Sequence, residues 1–271
     1  MTTQSSPTVA KIAFGPLLTK IRTRSGKSRA EVADSLGVDV STYGRWESGK
    51  YAPQPSAIGD LADAVGATTE ERTRLRDLAV AARRRGLFDG RNVPPHLRAL
   101  YELEAIAVRI WALELEHIPG PLQTLEYHKT VQAHQLPAET QYSETLRSLR
   151  QQRYTIMFGR DDSPELLFLI GESAMRYLDR YPEIKDAQIQ RLLEANALPN
   201  VEIKVITGMH AGMLGAFAIY EPPAATSARP ILYVETLRGE QLEEGDVVST
   251  HEEAARLVRD KQSQNLEDYL Q

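Results

Sequence analysis

The sequence predicts a mainly α chain with an α+β C-terminal domain: a five-helix head followed by a mixed α/β body. Three observations predict it. Between Phe14 and Gly86, five short amphipathic segments succeed one another, punctuated by glycines and by polar residues able to cap helices. Beyond Pro94-Pro95, short apolar runs alternate with longer amphipathic segments, the pattern of strands and helices sharing a core. The 271 residues include no cysteine, so two domains must hold together by burial alone, without disulfides or thiolate metal sites.

Residues 1–11 are small, polar and aperiodic, and read as a disordered arm. The first helix, from Phe14 to Arg24, sets Phe14, Leu17, Leu18 and Ile21 on one face, and Gly26 breaks it. Ser28 can cap the second, with Glu31 three residues on completing a capping box; Val32, Ala33 and Leu36 form its apolar face. Gly37 ends it in a left-handed conformation. Asp39 reads as the cap of a third helix that runs to about Ser48 and stops at Gly49. Pro53 and Pro55 introduce a fourth, Ser56 to Val65, with Ile58, Leu61, Ala62 and Val65 inward. Thr69 opens a fifth, with Leu75, Leu78 and Ala82 inward, ending near Arg83-Arg84-Arg85-Gly86. The head therefore spans 12–86, and Asp89-Gly90 and Pro94-Pro95 mark a linker over 87–95.

The body spans 96–271. His96 to Ala105 reads as helix, Ala107 to Glu114 as strand, and His117-Ile118-Pro119-Gly120-Pro121 as a turn into a helix from Leu122 to Gln135. Tyr142 to Phe158 is a long amphipathic helix, Leu166 to Gly171 a buried strand, and Tyr181 to Ala197 a helix with Ile184, Ile189, Leu192 and Leu193 inward. Strands follow at Val201–Ile206, Ala216–Glu221 and Ile231–Thr236, and a helix from about His251 to Tyr269 closes the chain.

Charge separates the two parts. The chain carries a net −5, yet residues 1–90 hold 14 basic and 10 acidic side chains, and residues 91–271 hold 18 and 27. A head at +4 precedes a body at −9, an asymmetry that suits a nucleic-acid-binding module on a body that avoids nucleic acid. The longest stretch without charged or strongly polar groups, Ala211 to Tyr220, is far shorter than the ~20 residues of a membrane span. The first seven residues lack the basic and apolar regions of a signal peptide, so a cytoplasmic location, on the nucleoid, is expected.

Ser28 to Gly49, SRAEVADSLGVDVSTYGRWESG, reads as helix, glycine turn, capped second helix and glycine stop. Ala33, Gly37, Val38, Trp46 and Glu47 have helix-turn-helix spacing: a small residue where the helices cross, a left-handed turn residue, and apolar groups clamping the pair. The motif resembles the phage-repressor-like, xenobiotic-response-element type of helix-turn-helix family. That resemblance implies that the third helix enters the major groove of double-stranded DNA. It places base contacts at Arg29, Val40, Ser41, Thr42 and Arg45, and phosphate contacts at Ser28, Lys50 and Tyr51. Arg45 has the planar fork that matches guanine. Val40 suits only an apolar contact, such as a thymine methyl. Arg29 departs from the glutamine usual in the family. The resemblance also implies a structural pair between Arg22 and Glu47, against which stand two separately solvated charges. Gly44 reads either as close approach to DNA or as a tolerated exposed glycine. Trp46 reads as core, and Arg83-Arg84-Arg85 as a solvated helix end complementing its own dipole.

In the body, the segments Ile118 to Tyr127, Ala197 to Val205, His210 to Phe217 and Tyr233 to Thr236 together resemble the C-terminal domain of large actinobacterial helix-turn-helix regulators described as antitoxin-like. Pro121 departs from the leucine more common in that family. The resemblance implies a small protein partner encoded by an adjacent gene. A homodimer on two half-sites follows from the modest affinity of one small module. The alternative is a body that senses a small ligand or catalyses a reaction, for example ADP-ribosyl transfer with Glu235 or Glu172 at a strand end. No phosphate loop, nucleophile elbow or metal-spaced histidine pair is present, so no enzyme activity, cofactor or metal is expected.

Overall fold

A computed structural model describes residues 7–84, 95–134, 153–159, 162–213, 215–224, 229–236 and 239–271. The chain divides into two compact units, one formed by residues 1–106, 222–229 and 242–244, the other by residues 107–221, 230–241 and 245–271. A helical head is followed by a mixed α/β domain built on a seven-stranded mixed sheet, the architecture expected from the sequence.

In the first unit, α1 (Pro7–Arg24), α2 (Arg29–Ser35), α3 (Val40–Glu47), α4 (Ile58–Val65) and α5 (Thr69–Ala81) enclose one core. Phe14, Leu18, Ile21, Val32, Tyr43, Ile58, Leu61 and Leu75 fill it. α1 begins inside the segment read as a disordered arm. Residues 7–11 are helical, because a proline costs nothing in the first turn and Val9, Ala10 and Ala13 extend the buried stripe of Phe14 and Leu18. The fourth helix starts as a 3-10 turn, Pro55–Ala57. The fifth opens at Thr69 as expected and is capped by Thr68, whose hydroxyl accepts from the Glu71 amide (3.2 Å) while Glu71 accepts from the Thr68 amide (2.9 Å). A sixth helix, α6 (Pro95–Ile106), opens the body in the sequence reading, yet it packs on α1 and groups with the first unit. Residues 85–94, with Arg85 and most of the expected linker, lie outside the described residues.

The second unit is ordered around the strands β1 (Arg109–Glu114), β2 (Glu165–Gly171), β3 (Val201–Ile206), β4 (Phe217–Glu221), β5 (Ile231–Thr236), β6 (Gly239–Glu243) and β7 (Ser263–Asn265), with the sheet order β6-β5-β4-β1-β2-β3-β7. β1, β2 and β3 run parallel, while β4 on β1, β5 on β4 and β7 on β3 are antiparallel. Residues alternate between faces along each strand. Trp111, Leu113, Leu167, Leu169, Phe217, Ile219 and Leu232 share one face with Val248, Ala255 and Val258 of α11 (Asp246–Lys261). The other helices are α7 (Leu125–Ala133), α8 (residues 153–158), α9 (Glu172–Tyr177), α10 (Pro182–Asn196) and α12 (Leu266–Tyr269). Of the long helix expected over 142–158, residues 142–152 lie outside the described residues.

The expected helix at Leu122 is instead a 3-10 turn, Gly120–Leu122, and α7 begins only at Leu125. Buried Gln188 on α10 fixes this turn: its amide donates to the Leu122 carbonyl (2.9 Å) and its carbonyl accepts from the Thr124 amide (2.8 Å). The Thr124 hydroxyl then caps α7 by accepting from the Tyr127 amide (3.1 Å). Among the described residues, no helix is long and apolar enough to cross a membrane.

Candidate nucleic-acid interface

The α2–α3 pair forms from local signals. Ser28 accepts from the Glu31 amide (3.2 Å) and Glu31 accepts from the Ser28 amide (2.7 Å), a reciprocal cap that holds the Glu31 carboxyl below its ordinary value. At the far end of α2, Gly37 adopts φ 65°, its amide donates to the Asp34 carbonyl and the Val38 amide donates to the Ala33 carbonyl, each at 3.0 Å. This is a Schellman closure, in which a side chain at Gly37 would be strained. Asp39 occupies the N-cap position of α3, but its side chain makes no capping bond.

α3 has a buried side and an open side. Tyr43 and Glu47, one turn apart, face inward. Ser41, Arg45 and Ser48 lie away from that side and are exposed, Val40 is exposed in the first turn, and Gly44 is half-buried between the two sides. Thr42 is half-buried. A Cβ built on Gly44 would meet nothing within 4 Å, so no contact within the described chain requires a glycine there. Lys50 and Tyr51 are exposed just beyond the helix, where the Tyr51 amide donates to the Arg45 carbonyl (3.2 Å).

What orients α3 is the carboxylate of Glu47, fully buried at its C-terminal end. Arg22 Nε donates to one oxygen at 2.5 Å and Arg29 Nε to the other at 2.5 Å. Arg22 also donates to the Lys27 carbonyl (2.7 Å), tying the α1–α2 connection into the same node. Burial pushes the Tyr43 phenol up, and the adjacent Glu47 charge adds to the shift. Gly15 on α1 completes the seat: a Cβ there would lie 2.4 Å from the Glu47 carbonyl oxygen and 2.7 Å from the Gly49 nitrogen. Arg29 and Ser28 are thus already engaged inside the domain, Arg29 with its side chain about half exposed. Tyr43, rather than Trp46, supplies the fully buried aromatic of α3; Trp46 is half-buried, edge-on to Tyr43 with ring centroids 6.0 Å apart. Tyr43 and Glu47 stand at helical spacing, the one sequence signal for that inner face. Arg83 and Arg84 are exposed at the end of α5.

Glu172 accepts from Arg176 one turn on (2.7 Å). Glu235 is exposed on β5 and acts on Glu114 at the end of β1, whose carboxyl is pushed up to about 7 by burial and by that neighbouring charge. A cavity of about 390 Å³ opens beyond the end of β1, lined by Glu116, His117 and three tyrosines among others; Glu235 and Glu172 are not among its lining residues. No cluster of three or more metal-ligating side chains occurs among the described residues.

Comparison with known proteins follows the same division. A model described as a helix-turn-helix domain matches residues 13–75. Over 57 residues the chain is 37% identical to a Bacillus subtilis (strain 168) protein named SPbeta prophage-derived uncharacterized HTH-type transcriptional regulator YonR. That alignment covers 21% of this chain and 53% of the relative, so about half of the relative's length is spanned. No solved structure matches. A model described as a domain of unknown function, DUF5753, matches residues 97–262, more than half of the chain. The chain therefore belongs to the DUF5753 family and carries a helix-turn-helix domain ahead of the domain that defines it.

Proposed function

We propose that the protein is a sequence-specific DNA-binding transcriptional regulator that presents α3 to the major groove. The observation that carries this reading is the two-sided build of α3. Its inner side is locked by Tyr43 and the Arg22–Glu47–Arg29 node, its outer side offers Ser41 and Arg45, and Val40 is exposed in its first turn. A groove-reading helix needs such a rigid seat, because bidentate recognition tolerates little angular freedom. Arg45 reads guanine; Val40, Ser41 and Thr42 contact neighbouring base edges; Lys50 and Tyr51 touch phosphate. Ser28 and Arg29 meet the backbone or a base edge beside α2 while keeping their internal bonds. The protein acts as a homodimer on two half-sites, and binding weakens steeply with salt.

The body, on this reading, is a binding domain rather than an enzyme, and takes a small protein partner encoded beside it, as in antitoxin-like pairs. Its charge of −9 and the pairing of Glu172 with Arg176 support that assignment. Co-expression with the adjacent gene's product tests it: a stable complex is expected at micromolar concentration, and two independently eluting proteins would end it.

The DNA reading is tested by recovering genomic fragments with the full chain and titrating the best one with Arg45→Ala. A loss of about 1–3 kcal/mol on the selected fragment, with little change on random DNA, is expected. Equal losses on both would remove the base-reading role of Arg45.

A further inference from the structure

The cavity in the second unit has a chemistry that DNA binding does not use. Its walls come from three places: the segment after β1, the helix α7, and the stretch from α9 into α10. Tyr127, Tyr177 and Tyr181 stand on it, one from α7 and two from the α9–α10 stretch. Each phenol oxygen is engaged by the protein. Tyr127 Oη accepts from the Ile118 amide (3.0 Å), and Tyr177 Oη donates to Glu116 Oε2 (2.7 Å). Tyr181 Oη meets His134 Nε2 (3.2 Å), and His134 Nδ1 lies 2.8 Å from the Thr130 carbonyl, which accepts only if that nitrogen carries the proton. His134 Nε2 is then the acceptor and the Tyr181 hydroxyl the donor. Tyr177 and Tyr181 give their hydroxyl protons to the protein, so their rings are what they offer a guest.

Charge selects the guest. Glu116 supplies a carboxylate on the wall, and its bond to Tyr177 raises the phenol's pKa, the direction expected beside an anion. Glu114, two residues earlier at the end of β1, acts on Tyr127. No lysine or arginine occurs among the described lining residues. Arg180 is near enough to act on the Tyr177 phenol but is not among those lining residues; on the wall itself, aromatic rings with a carboxylate and no lysine or arginine attract positive charge, through ring quadrupoles and through a charge-assisted hydrogen bond. Val131, Leu178 and Ile184 give the same space an apolar wall. The volume, about 390 Å³, falls in the range of small-molecule sites.

We propose that this cavity binds a protonated organic amine, its ammonium group held by Glu116 and the tyrosine rings and its hydrocarbon part against Leu178 and Ile184. The site stands independently of the DNA reading.

Three probes of one skeleton test it on the full chain by calorimetry at neutral pH: 2-phenylethylamine, 2-phenylethanol and phenylacetate. The amine should bind roughly tenfold or more tightly than the alcohol, and phenylacetate weakest. Glu116→Gln, a surface change expected to leave the melting temperature alone, should cut amine affinity about fivefold to tenfold without altering alcohol binding. Tyr177→Phe, which frees Glu116 from its phenol, should leave the amine preference in place. Absence of amine binding up to about 10 mM, equal binding of all three probes, or full amine affinity in correctly folded Glu116→Gln would each overturn the proposal.

Discussion

Glu47 in the head and Glu114 in the body are both carboxylates withdrawn from water, and their surroundings treat them oppositely. Glu47 has an arginine on each oxygen, at 2.5 Å on both sides, and the two arginines come from different helices. Glu114 has a second acid for a neighbour and no arginine or lysine bonded to it among the described residues, and its carboxyl is pushed up to about 7. In the head, burial of charge organises the fold: one carboxylate sets α3 relative to α1 and α2. In the body, the same residue type is held close to losing its charge. The difference separates a rigid presenting surface from a region whose electrostatics change near neutral pH.

Breaking the head's node gives the largest expected effect. Glu47→Ala removes the shared acceptor and strands Arg22, whose side chain is mostly buried; the loss should be about 3 kcal/mol by urea denaturation, with DNA affinity falling in step. Retention of wild-type stability would mean that packing of Tyr43 alone seats α3.

The body's carboxyl gives an effect of similar size and opposite sign, dependent on pH. The folded value of about 7 lies above the ordinary 4.5, so the folded form holds a proton that the unfolded chain releases first. The stability this contributes is whole below the ordinary value and is lost as pH rises through 7. Glu114→Gln should therefore flatten that slope and exceed the wild type at about pH 8 by on the order of 3 kcal/mol, followed by denaturation across pH. Parallel slopes for both proteins would place the titration elsewhere.

Next comes Gly15→Ala. The added Cβ would meet the Glu47 carbonyl oxygen and the Gly49 backbone, neither of which can swing aside, so a cost of about 2 kcal/mol is expected in thermal melting. The smallest effect divides stability from function. Gly44→Ala adds a methyl in open space within α3 and should stabilise the protein by about 1 kcal/mol while weakening DNA binding, measured by anisotropy. Unchanged DNA affinity would make Gly44 an incidental exposed glycine.

Legibility in the sequence followed the range of the interactions. The Ser28–Glu31 cap and the closure at left-handed Gly37 involve residues three to five apart, and the residue types alone announce them. The buried strands β2, β3 and β5 announce themselves as apolar runs. The bond from Arg29 to Glu47 spans 18 positions and has no periodic signature, so Arg29 reads from sequence as an outward-facing side chain. The start of α1 is masked because Ala10 and Ala13 bury little and carry a weak apolar signal. β6 (GEQLE) and the short helix α9 are too brief or too polar to leave a period, and the closing helix read from about His251 to Tyr269 is in fact α11, begun earlier at Asp246, the polar strand β7 (SQN) and α12. The cavity draws its walls from separate stretches, and only the folded sheet end brings Glu116 to Tyr177, 61 positions away.

β7 has one more effect. Paired with β3 through Ser263, Gln264 and Asn265, it covers backbone groups of Lys204 to Ile206 and puts the most polar of the strands at that border of the sheet. A three-residue polar strand is a poor template for a further chain. β3, with Val201, Ile203 and Val205 buried, is a strand a further chain could pair with, and this short polar hem occupies the C-terminal half of its edge.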